Sequence, residues 1–150
     1  MVLILLLKDR MIVIADRIRA MGEMLARRFE ADGIHARSVA DATELLALVG
    51  TGKTRAVVLD PMLPGNAGLG ALVRIRGLGG ACAAVPVLLL STNDSAEALE
   101  NAKRLGCSDY AVKGRESPTQ LVLRIRVLIG IEPAAPYASV PPPNPSQEVA

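Results

Sequence analysis

The chain has 150 residues, enough for one domain with its own core; 51% are apolar but only 2% aromatic, so that core must be built from Leu, Val, Ile, Ala and Met. A formal net charge of +2, with basic residues scattered among acids, argues against a partner bound through charge, whether nucleic acid or a membrane surface. Cys82 and Cys107 form no metal or redox motif and read as reduced thiols. The apolar stretch Val2-Leu3-Ile4-Leu5-Leu6-Leu7 is too short to span a bilayer and lacks the features of a signal peptide, so a cytoplasmic location is expected.

Residues 1–10 form an apolar extension, read as an extra strand or a weakly ordered start in preference to an arm that pairs with a partner. The first strand, Ile12-Val13-Ile14-Ala15, ends at Asp16. Met21, Met24, Leu25 and Phe29 then recur at helical spacing until Gly33 stops the helix. Residues 34–39 read as a second strand. Asp41 with Glu44 resembles a capping box, and Leu45, Leu46, Leu48 and Val49 give the next helix its apolar face. The third strand, Arg55-Ala56-Val57-Val58-Leu59, ends at Asp60. Pro61 and Pro64-Gly65 break the chain into a loop before a helix over 69–76.

Residues 77–84 read as a flexible small-residue connection. A strand over 86–91 ends at Ser91. Asp94 or Ser95 caps a helix that runs to Leu105 and stops at Gly106, and a fifth strand over 109–112 ends at Lys113. Ser117-Pro118 opens the last helix, with proline in the first turn where its missing N–H costs nothing. Strands alternating with helices imply α/β architecture, a five-stranded parallel sheet wound on both faces as (βα)5 over 11–130. Six of the ten prolines fall between Pro133 and Pro145, so 131–150 reads as a linker or disordered tail.

Four strands deliver a polar residue at their carboxyl ends: Asp16, Asp60, Ser91 and Lys113. An open α/β sheet builds sites at this edge. Two carboxylates, a hydroxyl and an ammonium suit acceptance of a phosphoryl group on an aspartate. Arg17, directly after Asp16, does not fit so simply. A cation about 4 Å from a carboxylate is worth several kcal/mol at a surface-like dielectric, and the same charge repels a metal ion. Arg17 is expected to pair with Asp60 or Asp16.

Other signals are weaker. Gly50-Thr51-Gly52-Lys53-Thr54 imitates the end of a phosphate-binding loop, but Ala47 stands where that pattern needs glycine, and the segment follows a helix instead of a strand. It reads as a turn. A phosphatase using an aspartate nucleophile would need an acid two residues after Asp60, where Met62 stands. His35, the only histidine, has no ligand-spaced partner and reads as structural. The last helix is apolar nearly all round: Leu121, Ile125 and Leu128 share one face, while Leu123 and Val127 fall opposite and suggest a surface for a homodimer or other partner.

The stretch Asp60-Pro61-Met62-Leu63-Pro64-Gly65 with Gly68-Leu69, together with Ser91 and Tyr110-Ala111-Val112-Lys113, resembles the receiver domain of two-component response regulators. The resemblance covers 11–130 and implies a CheY-like, flavodoxin-like fold with strand order 2-1-3-4-5. It implies a signalling module with no small-molecule product; the low net charge and the lack of a recognisable DNA-binding element lead to the further expectation of no direct contact with nucleic acid or membrane. Asp60 would accept a phosphoryl group from a histidine kinase or phosphotransfer protein. Magnesium would be held by Asp16, Asp60 and the Met62 backbone carbonyl, Lys113 would pair with the phosphoryl charge, and Ser91 and Tyr110 would form the switch. The sequence departs from the family at Arg17, where a second acid is usual, at Ala67, where the loop usually carries an acid, and at Gly114, where proline follows the lysine. The alternative is a pseudo-receiver that keeps the fold and acts as a constitutive interaction module.

Overall fold

The computed structural model describes residues 10–131. The hexamer at 2–7 and nearly all of the proline-rich segment lie outside them. The elements run β1 (Met11–Ala15), α1 (Arg19–Ala31), β2 (Ala36–Val39), α2 (Ala42–Gly50), β3 (Thr54–Leu59), a tight turn at Pro64–Asn66, α3 (Gly68–Arg76), a single turn α4 (Gly80–Ala83), β4 (Val87–Ser91), α5 (Ala96–Leu105), β5 (Asp109–Val112) and α6 (Pro118–Leu128). All five strands are parallel and lie in the order β2-β1-β3-β4-β5.

The two-residue period of the strands divides the core. Val13, Ala15, Val57, Leu59, Val87 and Leu89 point to the side covered by α2, α3 and α5, where Leu45, Val49, Leu72 and Ile75 meet them. Ile12, Ile14, Ala56, Val58, Leu88 and Leu90 point to the other side, against Leu25 and Phe29 of α1 and Leu121 and Ile125 of α6. Burial on both faces is why these strands read as unbroken apolar runs.

Several local expectations shift. The core face of α1 is Gly22, Leu25 and Phe29, whereas Met24 is exposed. A Cβ on Gly22 would stand 2.2 Å from Ser38 Oγ and 3.3 Å from Ser38 Cβ, so glycine lets α1 lie this close to β2 without turning Ser38 aside. β2 begins one residue after His35, whose exposed side chain faces Glu30 at 3.5 Å. The connection after α3 contains α4 and is not simply a loop. It is tied down by Arg76, which donates to the carbonyls of Ala83, Val85 and Gly106. Asp41 caps α2 through Glu44 N–H, but the Glu44 carboxylate faces Arg37. The full capping box is at Ser117 and Gln120 of α6. Gly50-Thr51-Gly52 ends α2 and turns into β3 as expected.

Candidate functional site

The strand order changes direction at β1. β2 lies on one side of it and β3 on the other, so the carboxyl ends of β1 and β3 open a crevice. The register pairs Ala15 with Leu59, and Asp60 N–H donates to Ala15 O at 2.9 Å, which places Asp16 and Asp60 side by side. On the other flank Ser91 pairs with Val112, and Lys113 N–H donates to Ser91 O at 2.8 Å. Four residues from four strands thus reach one edge of the sheet.

The two carboxylates are held alike. Asp16 Oδ1 accepts from Ile18 N–H and Asp60 Oδ1 from Met62 N–H, both at 2.8 Å. Each aspartate therefore bonds the backbone two residues on, which aims its second oxygen inward. Lys113 Nζ lies between those oxygens, 3.0 Å from Asp16 Oδ2 and 3.1 Å from Asp60 Oδ2. Asp16 is 2% exposed and Asp60 3%, so two charges with little access to water depend on this ammonium.

Arg17 meets Asp60 and not Asp16. Its Nε stands 3.9 Å from Asp60 Oδ2 and its side chain is 50% exposed. The Lys113–Gly114 peptide bond is trans, since the chain contains no cis bond among the described residues. Gly68 is where the loop motif ends, and a Cβ there would stand 2.3 Å from Asp60 O and 2.4 Å from Pro61 Cα. Glycine at this position lets α3 start directly against the Asp60 loop, and Gly68 N–H donates to Pro61 O.

Ser91 is buried, and its Oγ accepts from Asn93 N–H at 3.0 Å. The Tyr110 hydroxyl donates to Asn93 O. Asn93 carries little signal in the sequence, although it links both switch candidates and its side chain also accepts from Ser95 N–H. Its signal is its place two residues before the α5 cap, where Asn commonly shapes a turn. A cavity of about 220 Å³ lies beside Tyr110 and Ser91, with Pro61, Met62, Leu69 and Ala98 among its walls.

The donor set does not fit a magnesium ion. The contacts found at the four carboxylate oxygens are to protein N–H or ammonium donors: two to backbone N–H groups, two to Lys113 and a longer one to Arg17. Arg17 stands where the family usually carries a further acid, and Asp16, Asp60, Lys113 and Arg17 already sum to zero charge.

Titration is perturbed away from this edge. Burial lowers the pKa of Arg76 and raises that of Cys107, where Asp109 acts in the same direction as burial. Burial alone would lower the Arg124 pKa, but hydrogen bonds to Glu116 and Asp109 outweigh it and raise it. Both cysteines are free thiols.

Comparison with known proteins gives one consistent picture. The family model for the response regulator receiver domain matches residues 12–126. The response regulator MprA of Mycobacterium tuberculosis is 30% identical over 118 residues, covering 79% of this chain and 50% of that protein. The probable transcriptional regulatory protein TcrX of the same organism is 29% identical over 118 residues, 79% of this chain and 49% of its own length. The chain thus spans about half the length of the curated relatives it matches. Among solved structures, the receiver domain of the Francisella response regulator 1452 superposes with a TM-score of 0.73 at 27% identity, covering 81% of this chain and 98% of that one. Among the described residues no helix is long and apolar enough to cross a membrane. The switch-point site, the strand order and these matches agree that the chain belongs to the response regulator receiver domain family.

Proposed function

We propose that the chain is a phosphoacceptor receiver in which Asp60 takes a phosphoryl group from a phosphohistidine on a kinase or phosphotransfer protein. Receiver domains are generally signalling modules without a small-molecule product, and response regulators interact with histidine kinases and phosphotransfer proteins. The observation that carries the reading is the Lys113 ammonium held between Asp16 Oδ2 and Asp60 Oδ2 at a buried switch point. An ammonium has three donors and these contacts use two, so one remains for a phosphoryl oxygen.

A carboxylate is a weak nucleophile, and positioning with charge neutralisation must do most of the work. Asp60 Oδ2 is the oxygen that faces the cations and is the attacking atom. Asp16 keeps Lys113 in place. Ser91 turns from Asn93 to donate a hydrogen bond to a phosphoryl oxygen, and Tyr110 leaves Asn93 O and follows into the adjacent cavity. A partner reads the rearranged surface. Leu123 and Val127 supply a further face for self-association, supported by the 65% exposure of Val127 on a helix whose other side is core. Residues 131–150 serve as a proline-rich linker or tail beyond the receiver.

A constitutive interaction module is the second reading. Arg17 and Gly114, standing where the family usually carries an acid and a proline, favour it. Intact mass after incubation with a small phosphodonor, beside an Asp60→Asn control, separates the two. A phosphoryl adduct absent from the control is the result expected of a working receiver. A chain that takes no phosphoryl group from a small donor or from a phosphohistidine protein is a constitutive module.

A further inference from the structure

Asp60 Oδ2 faces two cations, Lys113 Nζ at 3.1 Å and Arg17 Nε at 3.9 Å. We propose that Arg17 takes the charge-neutralising place of a divalent cation at this site, so that phosphoryl transfer to Asp60 proceeds without metal. This inference rests on Asp60 being the phosphoacceptor.

Three observations carry it. Charge is the first. Two carboxylates with an ammonium and a guanidinium are neutral, and a divalent ion would leave two uncompensated positive charges beside aspartates that are nearly sealed from water. Lys113 already holds both carboxylates at once.

Geometry is the second. Lys113 is 12% exposed and fixed, whereas Arg17 is half exposed and too far from Asp60 Oδ2 for a hydrogen bond. The gap is at the atom to which phosphorus would bond. A group added there comes within reach of the Arg17 guanidinium, whose planar N–H fork can match two phosphoryl oxygens at once.

The change of charge in the reaction is the third. With acetyl phosphate as donor, the Asp60 Oδ2–phosphorus bond forms as the phosphorus–oxygen bond to acetate breaks, and acetate leaves with the electron pair. No proton transfer or further reactant is required. Asp60 exchanges its single negative charge for the larger charge of the phosphoryl group. Arg17 gains strength as a partner at that moment, because its contact to the carboxylate is long and its contact to the phosphoryl oxygens is direct. Such an interaction favours the transferring group over the ground state.

The test uses the full chain, acetyl phosphate and intact mass, in excess EDTA and in millimolar magnesium chloride. Wild type, Arg17→Asp and Asp60→Asn are compared. Wild type should form the adduct at rates within about twofold in the two buffers. Arg17→Asp should lose roughly 10²-fold in EDTA and recover with magnesium, and Asp60→Asn should form none. A second readout does not depend on transfer. Magnesium should leave the thermal melting of wild type unchanged and raise that of Arg17→Asp, followed by circular dichroism because the chain has no tryptophan.

A wild-type adduct that needs magnesium overturns the inference and leaves the phosphoacceptor reading standing. An adduct only in Arg17→Asp with magnesium also overturns it, because the arginine would then disable the site. No adduct in either protein, with acetyl phosphate or a phosphohistidine protein, overturns the phosphoacceptor reading and the inference with it.

Discussion

Lys113 and Arg124 are each a cation held by two carboxylates, Lys113 just past the carboxyl end of β5 and Arg124 reaching Asp109 at its start. Lys113 joins Asp16 and Asp60, and Arg124 joins Asp109 and Glu116. Burial separates them. The acids around Lys113 are 2% and 3% exposed, whereas those around Arg124 are 30% and 18% exposed, and Arg124 itself is 37% exposed. The donors are also used differently. Arg124 spends its fork on both Asp109 oxygens, on Glu116 and on the Tyr110 carbonyl, so it braces α6 against β5. Lys113 keeps a donor in reserve and stands at the switch point. One charge stoichiometry therefore serves as a brace in one place and as a candidate reaction site in the other, and burial with position decides which.

Removing each cation should expose that difference. Lys113→Met leaves two carboxylates buried together with only a distant, half-exposed Arg17 to answer them. The expected loss is about 3–5 kcal/mol, a fall in Tm on the order of 10 °C or more, measured by thermal or urea melts. A loss below about 1 kcal/mol would mean that water reaches the pair. Gly68→Ala should come next, at roughly 1–3 kcal/mol, because its Cβ meets backbone at Asp60 and Pro61 and no flexible side chain can give way. It should also lower phosphoryl uptake, since the loop that moves carries the acceptor.

Arg124→Met should cost only about 1 kcal/mol, and raising the salt concentration should shrink that cost while leaving the Lys113 effect largely intact. The folded Arg124 pKa is raised, so its contribution is complete below the unfolded value and is lost only as pH rises through the higher folded one, in strong alkali. The difference between wild type and Arg124→Met should therefore stay flat from neutral to mildly alkaline pH. A slope there would show another group titrating in the brace.

Much of this was legible in the sequence, and the part that was not has a physical reason. Asp16, Asp60, Ser91 and Lys113 stand out because each ends an apolar strand, and parallel strands bring their carboxyl ends together. The five strands and their order follow from alternation and the resemblance of the loop after β3. Arg124 was hidden because its partners Asp109 and Glu116 lie on other elements, and helical spacing says nothing of contacts to a strand and loop. Arg76 was hidden because it bonds carbonyls, which carry no sequence signature. Gly22 was missed because an apolar-spacing rule scores methionine and passes over the residue whose merit is having no side chain.

The smallest expected effect on stability sharpens the comparison from the surface of the helix that Arg124 braces. Val127 is 65% exposed on α6, and Leu123 is half-buried one turn before it. Neither belongs to the core that Leu121 and Ile125 make with α1. Val127→Glu should therefore change the unfolding free energy by less than about 0.5 kcal/mol, within the usual range for exposed positions. If this face joins two copies, the same change should shift sedimentation from dimer to monomer, because it places like charges opposite each other across a two-fold contact. Leu123→Glu should act in the same direction with a somewhat larger loss of stability, since more of its side chain is covered. A protein that is monomeric before and after substitution would remove self-association through α6 and leave the Arg124 brace with a purely internal role.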